Sequence, residues 1–249
     1  MAARKTSARK PAKAKAADSA TPDRPRVRPL RWLLKWLMRL GGIVVAVMLM
    51  LVLLFSAVNP PTTHTIWSEQ KRLGSVERSW VDVDAIAPVM LRAAVAAEDA
   101  NFCEHWGFDM AAIRAAIASG AARGGSTISQ QVVKNVYLWQ GRSYVRKALE
   151  AVMTPMVEAL WSKRRILEVY LNVAEMGEGV FGVEAAARQY FGVGPGQLTA
   201  RQAALIAAAL PNPKQRNPAR PTASMTRRAK AIESGAATIA ADGRAECFE

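Results

Sequence analysis

The amino-acid sequence predicts a mainly α protein, in which one N-terminal transmembrane helix precedes a helical domain. Three observations favour this fold class. The 18 residues from Gly41 to Val58 contain no charged side chain. Apolar residues recur at helical spacing through most of the chain beyond them. The alternation typical of a β-strand occurs only briefly, in the stretch RSWVDVD, so the sequence predicts no more than a short strand there.

The N-terminal tail is strongly basic and rich in Ala, Lys and Pro, a composition typical of disordered chain. Residues 1–40 carry 12 Lys and Arg against 2 Asp, so +10 of the net charge of +14 lies there. The other 209 residues are nearly balanced at +4. We therefore expect residues 1–29 to form a disordered basic cytoplasmic tail, and we expect no nucleic-acid partner for the body of the protein.

The apolar segment is long enough to cross a membrane, because about 20 apolar residues span the bilayer core. Basic residues flank it on the N-terminal side, whereas the first charged residue beyond it is Glu69. This asymmetry places the N-terminus in the cytoplasm. A cleaved signal peptide is the competing interpretation, but the run exceeds the usual length of about 7–15 residues. We predict a single-pass anchor in the inner membrane over residues 30–58 and a periplasmic domain over residues 59–249.

The chain contains two cysteines, Cys103 and Cys247. Two are too few to indicate a disulfide framework or a metal site. They could pair in an oxidising compartment, which the sequence leaves open, and a packing role is favoured for Cys103.

The stretch AAVAAEDANFCEHWGFD, residues 93–109, interrupts an apolar helix with two carboxylates, Glu98 and Asp99. Continued helical spacing would place Glu98, Phe102 and His105 on one face. A carboxylate among alanines and an aromatic ring is partly desolvated, which raises its pKa toward that of a general base. The alternative is a solvated acidic pair at a helix end, with His105 as a capping residue.

A second group of polar residues lies in RGGSTISQQVVKN and in the segment GRSYVRKALEAVM that follows. Arg142, Arg146 and Glu150 recur every four residues, and Lys134 precedes them. An ordinary surface ion pair between Arg146 and Glu150 would contribute only a few tenths of a kcal/mol. With the hydroxyls, amides and glycines upstream, the cations could instead converge on one multiply charged anion.

Five segments resemble, in order, the successive motifs of the family 51 peptidoglycan glycosyltransferases. They are EDANFCEHWGFD, GGSTISQQVVKN, RKALE, RRILEVYLNVAEMGEGVFGVEAAARQYFG and LTARQAALIAAALPNP. The resemblance covers about residues 65–220. The segments look most like those of the monofunctional biosynthetic members, and we expect no transpeptidase domain, which fits that form. The resemblance implies a lysozyme-like helical catalytic domain.

The resemblance also implies a reaction, the polymerisation of lipid II into β-1,4-linked glycan with undecaprenyl pyrophosphate as the leaving group. Glu98 would be the general base, while Lys134, Arg142 and Arg146 would stabilise the pyrophosphate. Glu150 would be a second catalytic carboxylate that orients these cations or holds a divalent metal. The remaining expected substrate-binding residues are Asp99, Phe102, His105, Ser126, Thr127, Gln130, Gln131 and Asn135.

The sequence requires no cofactor but leaves room for a divalent metal, Mg²⁺ or Mn²⁺. The partners implied are lipid II, the growing glycan chain, the inner membrane and other proteins of cell-wall synthesis or division. Two other functions are open. A lytic transglycosylase would also use one dominant Glu, although cleavage needs an acid for the departing sugar oxygen and no cluster of cations. A non-catalytic cell-wall scaffold would need neither the dominant Glu nor the cluster of cations.

Overall fold

The computed structural model describes residues 29–118, 125–141 and 143–249. The tail predicted to be disordered, and Arg142, lie outside these ranges. The described chain is mostly helical, which confirms the mainly α prediction. Contacts divide the described chain into two units, one that ends at Val44 and one over Val45–Glu249.

Ten α-helices occur in the described ranges: α1 Pro29–Ala57, α2 His64–Leu73, α3 Pro88–Glu98, α4 Met110–Ala118, α5 Ile128–Tyr137, α6 Tyr144–Leu160, α7 Lys163–Val173, α8 Val183–Phe191, α9 Ala200–Ala209 and α10 Ala223–Ala241. Three short strands accompany them: β1 Glu77–Arg78, β2 Glu175–Gly177 and β3 Val180–Phe181. Two 3₁₀ turns cover Val83–Ala85 and Pro195–Gln197.

Helix α1 contains a segment, Leu30–Ala57, that is long and apolar enough to cross a membrane. Its last turns, which belong to the second unit, pack against the helical domain. Val52 is fully buried, and its carbonyl accepts a hydrogen bond of 2.8 Å from Trp161 Nε1. Arg165 donates to the carbonyls of Phe55 and Val58, both at 3.1 Å. The side chain of Arg165 thereby satisfies carbonyls that a helix C-terminus leaves without partners.

The core of the domain has two groups of helices. Helices α3, α9 and α10 pack against one another, and the many alanines of α9 permit a close approach. Helix α5 packs against α6 and α7. The C-terminal end of α3 and the N-terminal end of α5 meet between these groups, and the candidate site lies at that junction.

The strands form one small sheet in the order β1-β3-β2, with β1 parallel and β2 antiparallel to β3. The prediction of a strand through RSWVDVD is wrong beyond its first residue, because β1 ends at Arg78. The backbone of Val81 bonds to the side-chain amide of Asn172 instead of to a neighbouring strand. Its N–H donates to Asn172 Oδ1 at 2.8 Å, and its carbonyl accepts from Nδ2 at 2.9 Å.

Cys103 and Cys247 form a disulfide, with Cα atoms 5.8 Å apart. The sequence left this pairing open. Both residues also pack against the core, which confirms the packing role expected for Cys103. The bond joins the turn after α3 to the C-terminal end of the chain.

Candidate active site

Helix α3 ends at Glu98, and Asp99 leaves the helical conformation with φ −161° and ψ 68°. The carboxylate of Asp99 accepts hydrogen bonds from Ile128 N at 2.9 Å and from His105 Nε2 at 2.8 Å. These side-chain bonds compete with continuation of the helix. The prediction that Glu98, Phe102 and His105 share a helical face is wrong for this reason. Phe102 is fully buried, and its ring centroid lies 6.3 Å from that of Phe248, so it packs in the core.

The side chain of Glu98 is only 15% exposed. Its Oε2 accepts a hydrogen bond of 2.9 Å from Gln131 Nε2, and Arg228 of α10 lies 4.0 Å from Oε1. Burial raises the pKa of Glu98 above its usual value, and the Gln131 hydrogen bond and the charges of Arg228 and Lys134 only partly oppose this shift. The expected desolvated carboxylate is thus confirmed. A solvated acidic pair is not what the structure contains, because Asp99 is buried as well.

The turn over residues 99–107 is fastened to the start of α5 by side chains. Besides the bond from Asp99 to Ile128, the hydroxyl of Thr127 donates to the carbonyl of Gly107 at 2.6 Å. His105 Nδ1 accepts from Gly107 N at 3.1 Å, which leaves Nε2 as the donor to Asp99. Asp99 and His105 therefore position this turn, since their polar atoms bond to one another and to backbone.

A pocket of about 430 Å³ opens at Glu98 between the end of α3, α4 and the segment before α5. Its polar groups come from Glu98, Asp99, Asn101, Asp109, Ser126 and Thr127. Four of these were predicted to be site residues, and the structure places them together. Asn101 and Asp109 were not predicted, although both lie in the first motif, and they bond to each other at 3.0 Å.

A second pocket, of about 390 Å³, contains the polar face of α5. Gln131 lines it and also bonds to Glu98, so this side chain lies between the two pockets. Lys134 and Asn135 line the same pocket. Burial lowers the pKa of Lys134, while the charges of Glu150 and Glu98 oppose this effect. Two carboxylates thus act on a partly buried ammonium group.

Glu150 is almost fully buried and surrounded by donors. Arg146 donates to its Oε2 at 2.8 Å, Gln130 donates to its Oε1 at 3.3 Å, and Lys147 forms a close ion pair with Oε1. The alternative of an ordinary surface ion pair is wrong, because the side chains of Arg146 and Glu150 are 12% and 3% exposed. The charge of Arg146 lowers the pKa of Lys134, so the cations of the two segments lie close enough to act on one another.

The sequence left open whether Glu150 holds a divalent metal, and its contacts indicate how well it suits that role. Both of its oxygens face cationic or amide donors, which is an unfavourable surrounding for a divalent cation. In the ranges that the structure describes, no three His, Cys, Asp or Glu side chains cluster in a way that could hold a metal. The donor set at Glu150 therefore fits a role in orienting cations.

Two residues near the site escaped the sequence interpretation. Arg228 approaches Glu98 from α10, and it also donates to the carbonyl of Ala97 at 3.3 Å. The pair Arg227 and Arg228 within an alanine-rich helix was the only local signal, and it does not indicate a partner. Lys147 lies within the RKALE motif, but the sequence pattern indicates no role for it.

The fold and the site define a helical, lysozyme-like domain built around one buried carboxylate and a group of cations. A family model described as Transglycosylase matches residues 65–236, and the chain belongs to this family. It is 60% identical over 218 residues to a protein of Jannaschia sp. named biosynthetic peptidoglycan transglycosylase, an alignment that covers 88% of this chain and 90% of that protein.

Proteins of the same name from other bacteria are also similar to this chain. The one from Rhodospirillum centenum is 44% identical over 220 residues, covering 85% of this chain and 95% of that protein. The one from Pseudomonas fluorescens SBW25 is 48% identical over 205 residues, covering 78% and 85%. The family and the lysozyme-like fold that the motifs implied are confirmed. The chain is a glycosyltransferase of peptidoglycan synthesis.

Proposed function

We propose that this transglycosylase polymerises lipid II into β-1,4-linked glycan, with undecaprenyl pyrophosphate as the leaving group and Glu98 as the general base. The observation that carries the proposal is the position of Glu98. Its buried carboxylate, with a raised pKa, lies at one pocket and bonds through Gln131 to the wall of a second pocket that contains Lys134. Two pockets that flank one base provide separate space for a donor and an acceptor.

In this mechanism Glu98 takes the proton of the acceptor 4-hydroxyl as that oxygen attacks C1 of the donor. The new C1–O bond forms on the face opposite the pyrophosphate, and the bond from C1 to the pyrophosphate oxygen breaks with its electron pair. The configuration at C1 is therefore inverted. The raised pKa of Glu98 suits it to this step, because a base is most effective when its pKa is near the working pH.

The departing diphosphate gains negative charge, and we assign Lys134, Arg146 and Arg142 to stabilise it. Preorganised donors in a partly dry site are effective for this purpose, and removing one typically costs about 10²–10³ in rate. Glu150 keeps Arg146 and Lys147 in place. Ser126, Thr127, Gln130 and Asn135 remain assigned to the substrate, with Gln130 and Thr127 also forming the capping box of α5. We propose that no metal is required at Glu150.

We further propose that α1 is a single-pass anchor in the inner membrane, with the N-terminus in the cytoplasm and the domain in the periplasm. The apolar length of α1 and the basic residues before it support this orientation. The disulfide fits an oxidising compartment. A domain attached directly to the membrane meets a lipid-linked substrate at high effective concentration. Contacts with other proteins of cell-wall synthesis or division stay a prediction.

The test is to give the purified full-length protein lipid II in one reaction and finished glycan in another. Polymer from the first and no fragments from the second are expected. The Glu98→Gln variant should fold but lose polymerisation, whereas the control Glu184→Gln, which removes the ion pair to the exposed Arg188 of α8, should keep it. Fragments of glycan would favour the lytic alternative, and polymer from Glu98→Gln would refute Glu98 as the base.

A further inference from the structure

The last residues of the chain, 242–249, turn back from the end of α10 onto the turn that follows Glu98. The disulfide between Cys103 and Cys247 joins the two segments across 144 residues of sequence. This C-terminal segment lies beyond residue 236, where the match to the family model ends. It therefore lies outside the part of the chain that the family model matches.

Noncovalent contacts hold the same segment in place. Phe248 is 1% exposed and packs on Phe102. Arg164 of α7 donates to the carbonyls of Phe248 at 2.9 Å and of Glu249 at 2.8 Å. Arg244 donates to the carbonyl of Ala100 at 3.0 Å. Phe102 and Ala100 hold the segment against the turn, and Arg164 holds its last two residues against α7.

That turn is part of the catalytic geometry. Residues 99–107 contain no regular helix or strand, so their positions depend on the bonds of Asp99 and His105 within the turn and on contacts from outside it. Cys103 lies four residues after Asp99, and Asp99 bonds to the N–H of Ile128 at the start of α5. Glu98 directly precedes Asp99 and bonds to α5 through Gln131. Movement of the turn would therefore shift the base relative to the donors of α5.

We propose that residues 242–249 form a disulfide-fastened brace that positions Glu98 and Asp99, and that oxidation of Cys103 and Cys247 is required for full glycosyltransferase activity. This inference rests on the proposed function. Cys103 and Cys247 are then positioning residues, since neither lines the two pockets at Glu98. A brace of this kind makes the activity depend on the redox state of the compartment.

The bond forms by thiol–disulfide exchange with an oxidoreductase that carries a disulfide. One thiolate of the pair attacks that disulfide, and the second thiolate then displaces the reduced oxidoreductase. The two thiols lose two protons and two electrons, and the oxidoreductase gains two thiols. No other reactant is needed.

The experiment compares the oxidised full-length protein, the same protein after reduction with dithiothreitol, and the double variant Cys103→Ser/Cys247→Ser. Lipid II polymerisation is measured at about 25 °C, and circular dichroism of each sample checks that the fold is intact. Reduction and the double substitution should each lower kcat by about 10- to 100-fold, with less effect on KM. Dithiothreitol should have no effect on the double variant.

Loss of the disulfide should also lower Tm by about 10 °C, so a control for stability is needed. Val183→Ala removes buried apolar volume in α8, on another part of the domain. It should lower Tm while leaving kcat unchanged. If Val183→Ala and the double variant lose kcat in proportion to Tm, the disulfide acts on stability alone and the brace is refuted.

A second readout is the pH dependence of kcat/KM. The charged and titratable groups near Glu98 are Asp99, Lys134 of α5, Tyr170 of α7 and Arg228 of α10. If the turn loosens and water reaches Glu98, its raised pKa should fall, and the acid limb of the profile should move to lower pH. A stability effect would leave that limb unchanged.

A third readout does not depend on catalysis. The N–H of Ile128 donates to Asp99, so its hydrogen exchange should become faster in the reduced protein than in the oxidised one. Unchanged exchange and unchanged kcat after reduction would refute the brace. If the oxidised protein makes no polymer from lipid II while the exchange responds to reduction, the proposed function fails and the positioning of Asp99 by the brace stands.

Discussion

Gln131 donates a hydrogen bond of 2.9 Å from its Nε2 to Oε2 of Glu98, and this bond joins the middle of α5 to the end of α3. Lys134 follows on the same helix and lowers the pKa of Glu98 through its charge. Helix α5 therefore orients the proposed base and also carries part of the positive charge proposed for the leaving group. A substitution on α5 should therefore affect both the orientation of the base and the positive charge available to the leaving group.

The first prediction concerns Gln131→Ala. The lost hydrogen bond stabilised the ionised form of Glu98, so the pKa of Glu98 should rise further. A larger fraction of the base is then protonated near neutral pH, and the acid limb of kcat/KM should move to higher pH. At neutral pH the rate of lipid II polymerisation should fall about 10-fold.

The matched control for Gln131→Ala is Gln189→Ala, an exposed glutamine of α8 that lies away from both pockets at Glu98. Its pH profile should equal that of the wild type. An acid limb that stays in place in Gln131→Ala would show that the hydrogen bond does not act on the base.

The second prediction concerns Glu150→Gln. The carboxylate raises the pKa of Lys134, so its removal should lower that pKa further. Lys134 then loses its proton at lower pH, and the alkaline limb of kcat should move toward neutrality. Arg146 also loses a buried ionic partner, and a fall in kcat of about 10²-fold is expected. Rates of lipid II polymerisation across the alkaline range measure both effects.

A chelator separates the two roles considered for Glu150. If Glu150 orients cations, EDTA should leave the activity of the wild type unchanged. Activity that is lost in EDTA and restored by Mg²⁺ or Mn²⁺ would contradict this role and favour a metal. Glu184→Gln is the control for a lost ion pair, because the partner of Glu184, Arg188, is 67% exposed.

The helices, including the long apolar helix α1, could be predicted from sequence because each depends on a local pattern. Apolar periodicity and an uncharged run of sufficient length are visible in neighbouring residues. The end of α3 could not be predicted in the same way. Asp99 leaves the helix because its carboxylate bonds to Ile128, a residue 29 positions further along the chain.

The sequence predicted which segments form the candidate site, but it did not predict which of their side chains are buried. Arg146–Glu150 and Arg188–Glu184 have the same spacing of four residues, yet both side chains of the first pair are buried, whereas Arg188 of the second pair is 67% exposed. Spacing along a helix does not report what packs against that face. The partners that decide the chemistry, such as Arg228 beside Glu98, come from distant segments and appear only when the chain is folded.

The third prediction concerns Arg165→Ala. Arg165 bonds to the carbonyls of Phe55 and Val58 at the end of α1 and to Asn59 at 2.8 Å. Without it these carbonyls lose their donor, and the junction between the helix and the domain should become mobile. The domain should stay folded, but limited proteolysis should cleave faster near residues 58–63.

Polymerisation by Arg165→Ala should fall several-fold in lipid vesicles and less in detergent, because only the bilayer fixes the domain relative to its substrate. Arg188→Ala, at an exposed arginine, is the control and should change neither property. Equal cleavage of Arg165→Ala and wild type would show that packing of Val52 and Trp161 suffices to hold the junction.

The last prediction is that Glu98→Gln stabilises the fold near neutral pH while it abolishes polymerisation. Burial raises the pKa of Glu98 in the folded state above its value in the unfolded chain. The folded state therefore binds the proton more tightly, and the stability due to this group is present at acid pH and lost as pH rises through the folded-state pKa. A glutamine does not titrate, and its carbonyl can still accept the hydrogen bond from Gln131. Thermal unfolding at about pH 7.5 should give a Tm a few degrees above that of the wild type, and the difference should shrink toward about pH 4.

Glu184→Gln should show no such gain, because Glu184 pairs with an exposed arginine. A lower Tm for Glu98→Gln at neutral pH would mean that the ionised carboxylate is stabilised where it lies, and the argument for a desolvated base would fail.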